Sequence, residues 1–496
     1  MIHNIPPYPS YKETSIPWLG KVPEHWEVLP GRSVFREINV RGYPNEQMLS
    51  VAIKSGVLRQ VELLEDSSKK DSSNDDKSKY KLVQPGDLVY NKMRAWQGAM
   101  GVSAYRGIVS PAYIVQRLRN AENLPRYIHF LLRTPLFASE AERWSYGITS
   151  DQWSLRAEEF KCIYFPLPPL PEQNAIVRFL DYMDSRIRKA IRLRKKRIKL
   201  LEEYKQSLIS EVVTGKRDVR RTNNPKKPYE LHTRPPEKMK DSRVEWLGKV
   251  PEHWEVRRLR SITEMRVSNV DKHTTEDEQP VRLCNYVDVY KNEHISSSIN
   301  FMKATATKDE IKRFQLKCGD VLITKDSEEW DDIGVPAIVD NIDEDVLCGY
   351  HLALLRPFSD IVTSAYLLRA LQSTSVTYQF HISANGVTRY GLSHGSIKAV
   401  WLPLPPHHEQ TTIVEYLDYQ IAKIDSSIAS DKKIIELLEE YRTRLIADVV
   451  TGKADVRQIA ATLPEIQEEG TEEPDIEEEE ETIGEGENVE FENEGE

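Results

Sequence analysis

Two stretches of the chain place apolar residues at a four-three-four spacing with polar residues between. The later one runs through Leu417, Ile421, Ile424, Ile428, Ile435, Leu438, Leu445 and Val449. The earlier one runs through Leu180, Ile187, Ile191, Ile198, Leu201, Leu208 and Val212, with Asp184, Arg194 and Lys205 as polar interruptions of the same register. That rhythm is the seam of a coiled coil. The first stretch opens at Pro171-Glu172-Gln173, which suits a helix N-terminus. Both close at VVTGK, where Gly215 and Gly452 are placed as C-terminal caps. The pattern predicts long helices over 171–215 and 407–452, each about 60 Å at 1.5 Å per residue. A helix of that length with one apolar stripe needs a partner, and the other copy is the obvious one.

The rest of the chain repeats as well. WLGKVPEHWEV stands at Trp18–Val28 and again at Trp246–Val256. FPLPPLPEQNAIVRFLD from Phe165 answers LPLPPHHEQTTIVEYLD from Leu402, and LLEEYKQSLISEVVTGKRDVR from Leu200 answers LLEEYRTRLIADVVTGKADVR from Leu437, both at an offset of 237 residues. The opening repeat sits at an offset of 228, so all length variation lies in the middles. Those middles share only a skeleton: Gly86-Asp87 against Gly319-Asp320, and Gly101 against Gly334, each set reading as a turn, a buried strand and a polar loop with an aromatic in it. The expected order is a first domain over 1–170, a helix over 171–215, a linker over 216–242, a second domain over 243–406, a helix over 407–452 and a tail from 453. The linker, TNNPKKPYELHTRPPEKMKDS, reads as extended and solvated from its Pro, Lys and Asn content.

Charge changes the picture once it is split by position. Between Ala461 and Glu496 lie 17 acidic residues and no basic one, so a chain of net charge -10 has a body of +7. From about 461 the tail is too charged to fold alone and is expected to be disordered, as a solubilising segment or a mimic of nucleic acid. The mildly basic body permits a polyanion partner. RIRKAIRLRKKRIK from Arg186 is read as a solvated face, with a passing duplex backbone as the alternative. No export signal and no run of eighteen apolar residues is present, which places the chain in the cytoplasm with no membrane contact. Cys162, Cys284, Cys318 and Cys348 are scattered without a CxxC pair, so free thiols are expected rather than zinc or disulfides.

No nucleotide-binding, zinc-protease or serine-hydrolase motif occurs, so no catalytic residue, cofactor or metal is expected. Asn224-Pro225 continues as KKPY and is set aside as a methyltransferase motif. His407-His408-Glu409 reads as a helix start and the Glu328-Glu329, Asp331-Asp332 cluster as a solvated loop. The loops of the middles carry side chains able to pair with base edges or hold phosphate, with aromatics beside them. In the first half these are Asn91, Lys92, Arg94, Trp96, Gln97, Ser150, Asp151, Gln152 and Trp153. In the second they are Thr324, Lys325, Asp326, Trp330, Asn385, Thr388, Arg389, Tyr390 and His394. The repeated WLGKVPEHWEV reads as packing through Trp18, Leu19, Val22 and Trp26 around a turn at Pro23, Glu24 and His25, not as a catalytic Glu–His pair.

Two copies of an LPLPPLPEQ-type opening, each followed by a helix ending in LISEVVTGK and preceded by WLGKVPEHWEV and a variable middle, resemble the specificity subunit of type I restriction-modification systems. The likeness covers roughly Pro17 to Arg457. It implies an α+β fold: two mixed α/β target recognition domains in pseudo-twofold arrangement, separated by two long antiparallel coiled-coil helices. It implies a non-catalytic DNA-reading subunit of an asymmetric, split target. Its partners would be double-stranded DNA, two methyltransferase subunits that use S-adenosylmethionine to modify adenine N6, and restriction/translocase subunits. A coiled-coil scaffold that binds only proteins is the alternative, but leaves the polar aromatic loops without a role.

Overall fold

The computed structural model describes residues 5–53, 55–61, 77–147, 153–272 and 274–464. They fall into two compact units, 1–193 with 433–496, and 194–432. The long helices are Leu170–Val213 and His407–Val450. Each is shared, so a unit contains one variable middle and half of both helices. No helix among the described residues is long and apolar enough to cross a membrane.

The first unit is built on a four-stranded antiparallel sheet in the order Phe35–Glu37, Tyr113–Leu118, Leu88–Asn91, Met100–Val102. Helices Pro125–Leu132 and Pro135–Arg143 pack on it through Tyr127, Ile128, Leu131 and Phe137, all buried. Tyr164–Leu167 then pairs antiparallel with Glu27–Pro30 and delivers the chain into the first long helix. The second unit follows the same plan. Its sheet has the order Thr263–Val267, Leu352–Pro357, Val321–Thr324, Pro336–Val339, His294–Ile295, with the last pair parallel. Helices Ser364–Leu371 and Thr374–His381 follow, and Trp401–Leu404 pairs with Glu255–Arg258 before the second long helix. A further three-stranded sheet in the second unit, Met302–Ala306, Gln279–Cys284 and Val346–Cys348, rests on its own core.

The Gly-Asp skeleton common to the middles is a structural clamp. Gly86 and Gly319 turn the chain at φ +90° and +88°, which a side chain resists. The following aspartate is buried: Asp87 takes Arg117 in a fork at 2.6 and 2.7 Å, and Asp320 takes Arg356 at 2.7 Å twice. Each carboxylate also accepts a backbone N–H at 2.8 Å, from Gln84 or Lys317. A buried carboxylate is tolerable only when paired in this way.

WLGKVPEHWEV closes on the start of the long helices. Trp26 and Trp254 are buried, and their indole N–H groups donate to Glu172 at 2.8 Å and Glu409 at 2.9 Å. The preceding histidines meet the same carboxylates, His25 to Glu172 at 2.7 Å and His253 to Glu409 at 2.6 Å. Glu24 and Glu252 stay exposed. The far end of the opposite helix docks on this segment too. A Cβ on Gly452 would lie 2.3 Å from Pro23, and one on Gly215 would lie 2.4 Å from Pro251.

In the first unit the helix halves bury Ile176, Phe179 and Leu180 against Leu445, Ile446, Val449 and Val450. In the second they bury Leu208, Ile209 and Val212 against Leu417, Ile421, Ile424 and Ile428. The polar interruptions each find an opposite charge on the facing helix. Asp184 pairs with Arg442, Arg194 pairs with Asp431, and Lys205 reaches Asp425 at 2.8 Å. Partner numbers fall as the first helix ascends, so within the second unit the halves run antiparallel.

One expectation is corrected. The linker is not extended: Arg217–Arg221 pairs antiparallel with Tyr229–Thr233, turning through Asn224, and Met239–Asp241 pairs with Lys249–Pro251. The hairpin puts Val219, Tyr229 and Leu231 against the second-unit core, with Tyr229 on Tyr416 and Tyr419 at 5.8 and 5.9 Å. Ahead of the acidic stretch the chain is folded. Arg457–Thr462 is a helix whose Ala460 is buried, and Asp455 N donates to Pro6 O at 2.8 Å. The acidic residues from Glu465 onward lie outside the described residues. The cysteines are free, and Cys318 is exposed while Cys284 and Cys348 are buried.

Candidate nucleic-acid interface

In the first unit the loop after Leu88–Asn91 turns through a short 3-10 segment, Ala95–Gln97, and returns at Gly98 with φ +92°. Asn91 sets the entry, its Oδ1 accepting from Met93 N at 3.0 Å. Arg133 holds the exit by donating to Gly98 O at 2.8 Å. Leu155 N donates to Lys92 O at 2.9 Å, and the Trp96 and Trp153 rings meet edge to face at 5.5 Å. The fold therefore brings together two loops far apart in sequence. Tyr146 and Ser154 exchange backbone hydrogen bonds at 3.3 and 3.0 Å at the base of the second loop. Ser150, Asp151 and Gln152 lie outside the described residues. Gln97 is exposed, while Asn91, Lys92, Arg94, Trp96 and Trp153 are half-buried. Burial pushes the Tyr113 hydroxyl up, and Arg94 and a hydrogen bond with Asn91 pull it partly back.

In the second unit the corresponding loops meet through strand pairing, Asp326 with Gly391 and Ser327 with Tyr390. Asn385 and Gly391 exchange backbone hydrogen bonds at 3.1 and 2.9 Å, closing a tight loop between them. Gly386 is required there, since a Cβ would stand 1.9 Å from Arg389 O. Asn385, Thr388 and Arg389 are exposed on this loop, and Tyr390 is half-buried. Below it, Asp326 Oδ2 accepts from Lys325 Nζ at 2.6 Å and pairs with His351 Nδ1 at 2.8 Å. Burial opposes ionisation of Asp326, but the hydrogen bonds from Lys325 and His351 outweigh it and hold the carboxyl below its usual range. Lys325 also lies over the Tyr350 ring at 4.8 Å.

Thr324 is corrected from contact residue to frame residue. It is fully buried, and its hydroxyl accepts from Val335 N at 3.0 Å. Trp330 is exposed and sits edge to face with His381 at 6.0 Å. His394 is exposed at the start of the short helix His394–Ala399. Among the described residues, no hydrogen bond or ring contact ties Trp330 or His394 to the Asp326 cluster. Tyr350 and His351 were missed in the sequence, where GYHLALL reads as the start of an apolar strand. The only available signal was a histidine and tyrosine at the edge of that run.

Comparison with known proteins fits this picture. The profile of the type I restriction modification DNA specificity domain matches residues 39–203 and 251–440, more than two thirds of the chain. A Methanocaldococcus jannaschii protein that carries the name MjaX specificity subunit is 26% identical over 206 residues, spanning 41% of this chain and 47% of that protein. The type I restriction enzyme MjaVIII specificity subunit of the same organism is 19% identical over 391 residues, 77% of this chain and 84% of that one. The chain thus spans about half the length of the first relative. A solved chain from work on complex assembly and conformational transition of the type I R-M system superposes with a TM-score of 0.62 at 16% identity, covering 86% of this chain and 98% of that one, a likeness in fold. Two domain matches in one chain, each falling on a unit with the same clamps and different loops, place it in a single family: the chain belongs to the type I restriction modification DNA specificity family.

Proposed function

We propose that this chain is the non-catalytic, sequence-reading subunit of a type I restriction-modification complex, with each unit reading one half of a split, asymmetric DNA target. The observation that carries the reading is the contrast within the repeat. The clamps Asp87–Arg117 and Asp320–Arg356, and the Trp–His–Glu contacts at Glu172 and Glu409, recur atom for atom in kind. The loops they hold in place carry different polar letters: Asn91, Lys92, Arg94 and Gln97 in one, Lys325, Asp326, Thr388 and Arg389 in the other. A shared frame with unlike polar loop residues suits two readers of two sequences. A protein-only scaffold gives no reason for that divergence.

In this reading the partners are double-stranded DNA and two methyltransferase subunits that transfer a methyl group to adenine N6, with restriction/translocase subunits joining the complex. The site residues proposed for DNA are those of the loops above, less Thr324. The test is duplex binding by the assembled complex across a salt series. Affinity should fall linearly in log–log form as salt rises, because phosphate contacts release counterions. An assembled complex with no salt-dependent binding to any duplex would contradict the reading.

A further inference from the structure

We propose that Arg389 reads a guanine in the half-site of the second unit, through the N7 and O6 acceptors of that base, and that His351 is the positioning residue that aims it. The proposal rests on the reading of this unit as a DNA reader and names the chemistry it selects.

Three observations support it. First, Arg389 is exposed on the closed loop, and among the described residues its side chain meets the His351 ring: its terminal nitrogen stands 3.5 and 3.4 Å from the two nitrogens of His351. At those distances the guanidinium spends at most one N–H on the imidazole, whose Nδ1 already faces Asp326, so most of its donor fork remains for a ligand. Second, both sides of this contact are fixed. Asp326 holds His351 through Nδ1, while Lys325 N donates to His351 O at 3.0 Å and Leu392 N donates to Lys325 O at 2.8 Å. The Arg389 backbone is fixed by the Asn385–Gly391 closure and by the lack of room at Gly386.

Third, the exposed charged member of the His351 cluster, Arg389, is a donor. Asp326 is the carboxylate of the group, and one of its oxygens already takes Lys325 and His351. The two adjacent acceptors of guanine match the guanidinium fork, whereas the amino group of cytosine or adenine is a donor that the fork cannot pair with. A phosphate matches the same fork, so the test must separate base from backbone.

The experiment compares complexes carrying the unaltered chain, Arg389→Ala, His351→Ala and His351→Gln. Adenine methylation is mapped across a genome, and binding is measured to duplexes with guanine or 7-deazaguanine at each guanine of the second half-site. The expected result is one guanine whose N7 removal weakens the unaltered complex about ten- to a hundred-fold and leaves Arg389→Ala unaffected. The methylation map of Arg389→Ala should lose its preference at that position and keep the other half-site. His351→Ala should relax the same position, and His351→Gln, which can still donate to Asp326, should restore it. Retained reading of the first half-site shows that the variant is folded and assembled. A uniform loss of affinity on every duplex with a shallower salt slope overturns the proposal in favour of a phosphate contact. A second half-site without guanine, or His351→Ala with an unchanged motif, overturns it too, whereas absence of any split motif for the unaltered chain defeats the functional reading itself.

Discussion

Glu172 and Glu409 are the residues on which each repeat closes. Each carboxylate accepts the indole N–H of a buried tryptophan and pairs with a histidine, so removing Glu172 strands the buried Trp26 donor. Glu172→Ala should cost about 2–3 kcal/mol, and Glu172→Gln less because the amide oxygen still accepts; chemical denaturation measures both. Equal stability of Glu172→Ala and the unaltered chain would contradict the clamp. The Trp26 part of this was legible in sequence, since a duplicated tryptophan in a fixed apolar frame reads as packing. Its partner was not, because Glu172 lies 146 residues away and its identity as a helix-start residue gives no hint of an indole. His351 was invisible for a similar reason, its role depending on strand neighbours that bring Asp326 and Arg389 to it. Thr324 was misread because its polar hydroxyl suggested a loop, while the strand Val321–Thr324 is buried along its length.

The long helices were the most legible elements, since a seven-residue apolar rhythm reports both helix and partner. Their polar interruptions acquire a meaning only in pairs. Asp431 is 1% exposed and takes Arg194, with Arg197 at 3.2 Å. Arg194 and Asp431 are equivalent positions of the repeat, 237 residues apart, so the seam meets itself there with opposite charges. Asp431→Leu alone should destabilise by about 1–3 kcal/mol, moderated because Arg194 keeps some solvent, whereas Arg194→Leu with Asp431→Leu should recover most of the loss. A double variant as unstable as the sum of the singles would show that the pair is not coupled. The helix ends depend on close approach: Gly452→Ala places a methyl 2.3 Å from Pro23 at φ +78°, and a loss of about 1–3 kcal/mol is expected in the same assay. The hairpin after the first helix was misread because Asn, Pro and Lys dominate its turn. The alternation of Val219 with arginines and of Tyr229 and Leu231 with polar residues was the signal that it pairs.

At the scale of the molecule, the repeat carried most of the information. Identical stretches marked the frame, divergent stretches marked the variable loops, and the offsets located where length varies. What sequence could not supply was which polar letters in the divergent stretches meet, because that depends on loop closure, as at Trp96 with Trp153 and Asp326 with His351. The central claim is that two unlike readers sit on one frame, and exchanging the letters of one reader tests it most directly. The measurement is an N6-methyladenine map of the host genome with the unaltered chain, without it, and with Asn91–Gln97 replaced by a different loop of equal length. The account predicts that one split motif disappears with the chain, and that loop replacement changes one half of that motif while the other half stays intact. Relaxation of both halves together, or a motif that survives loss of the chain, would contradict it.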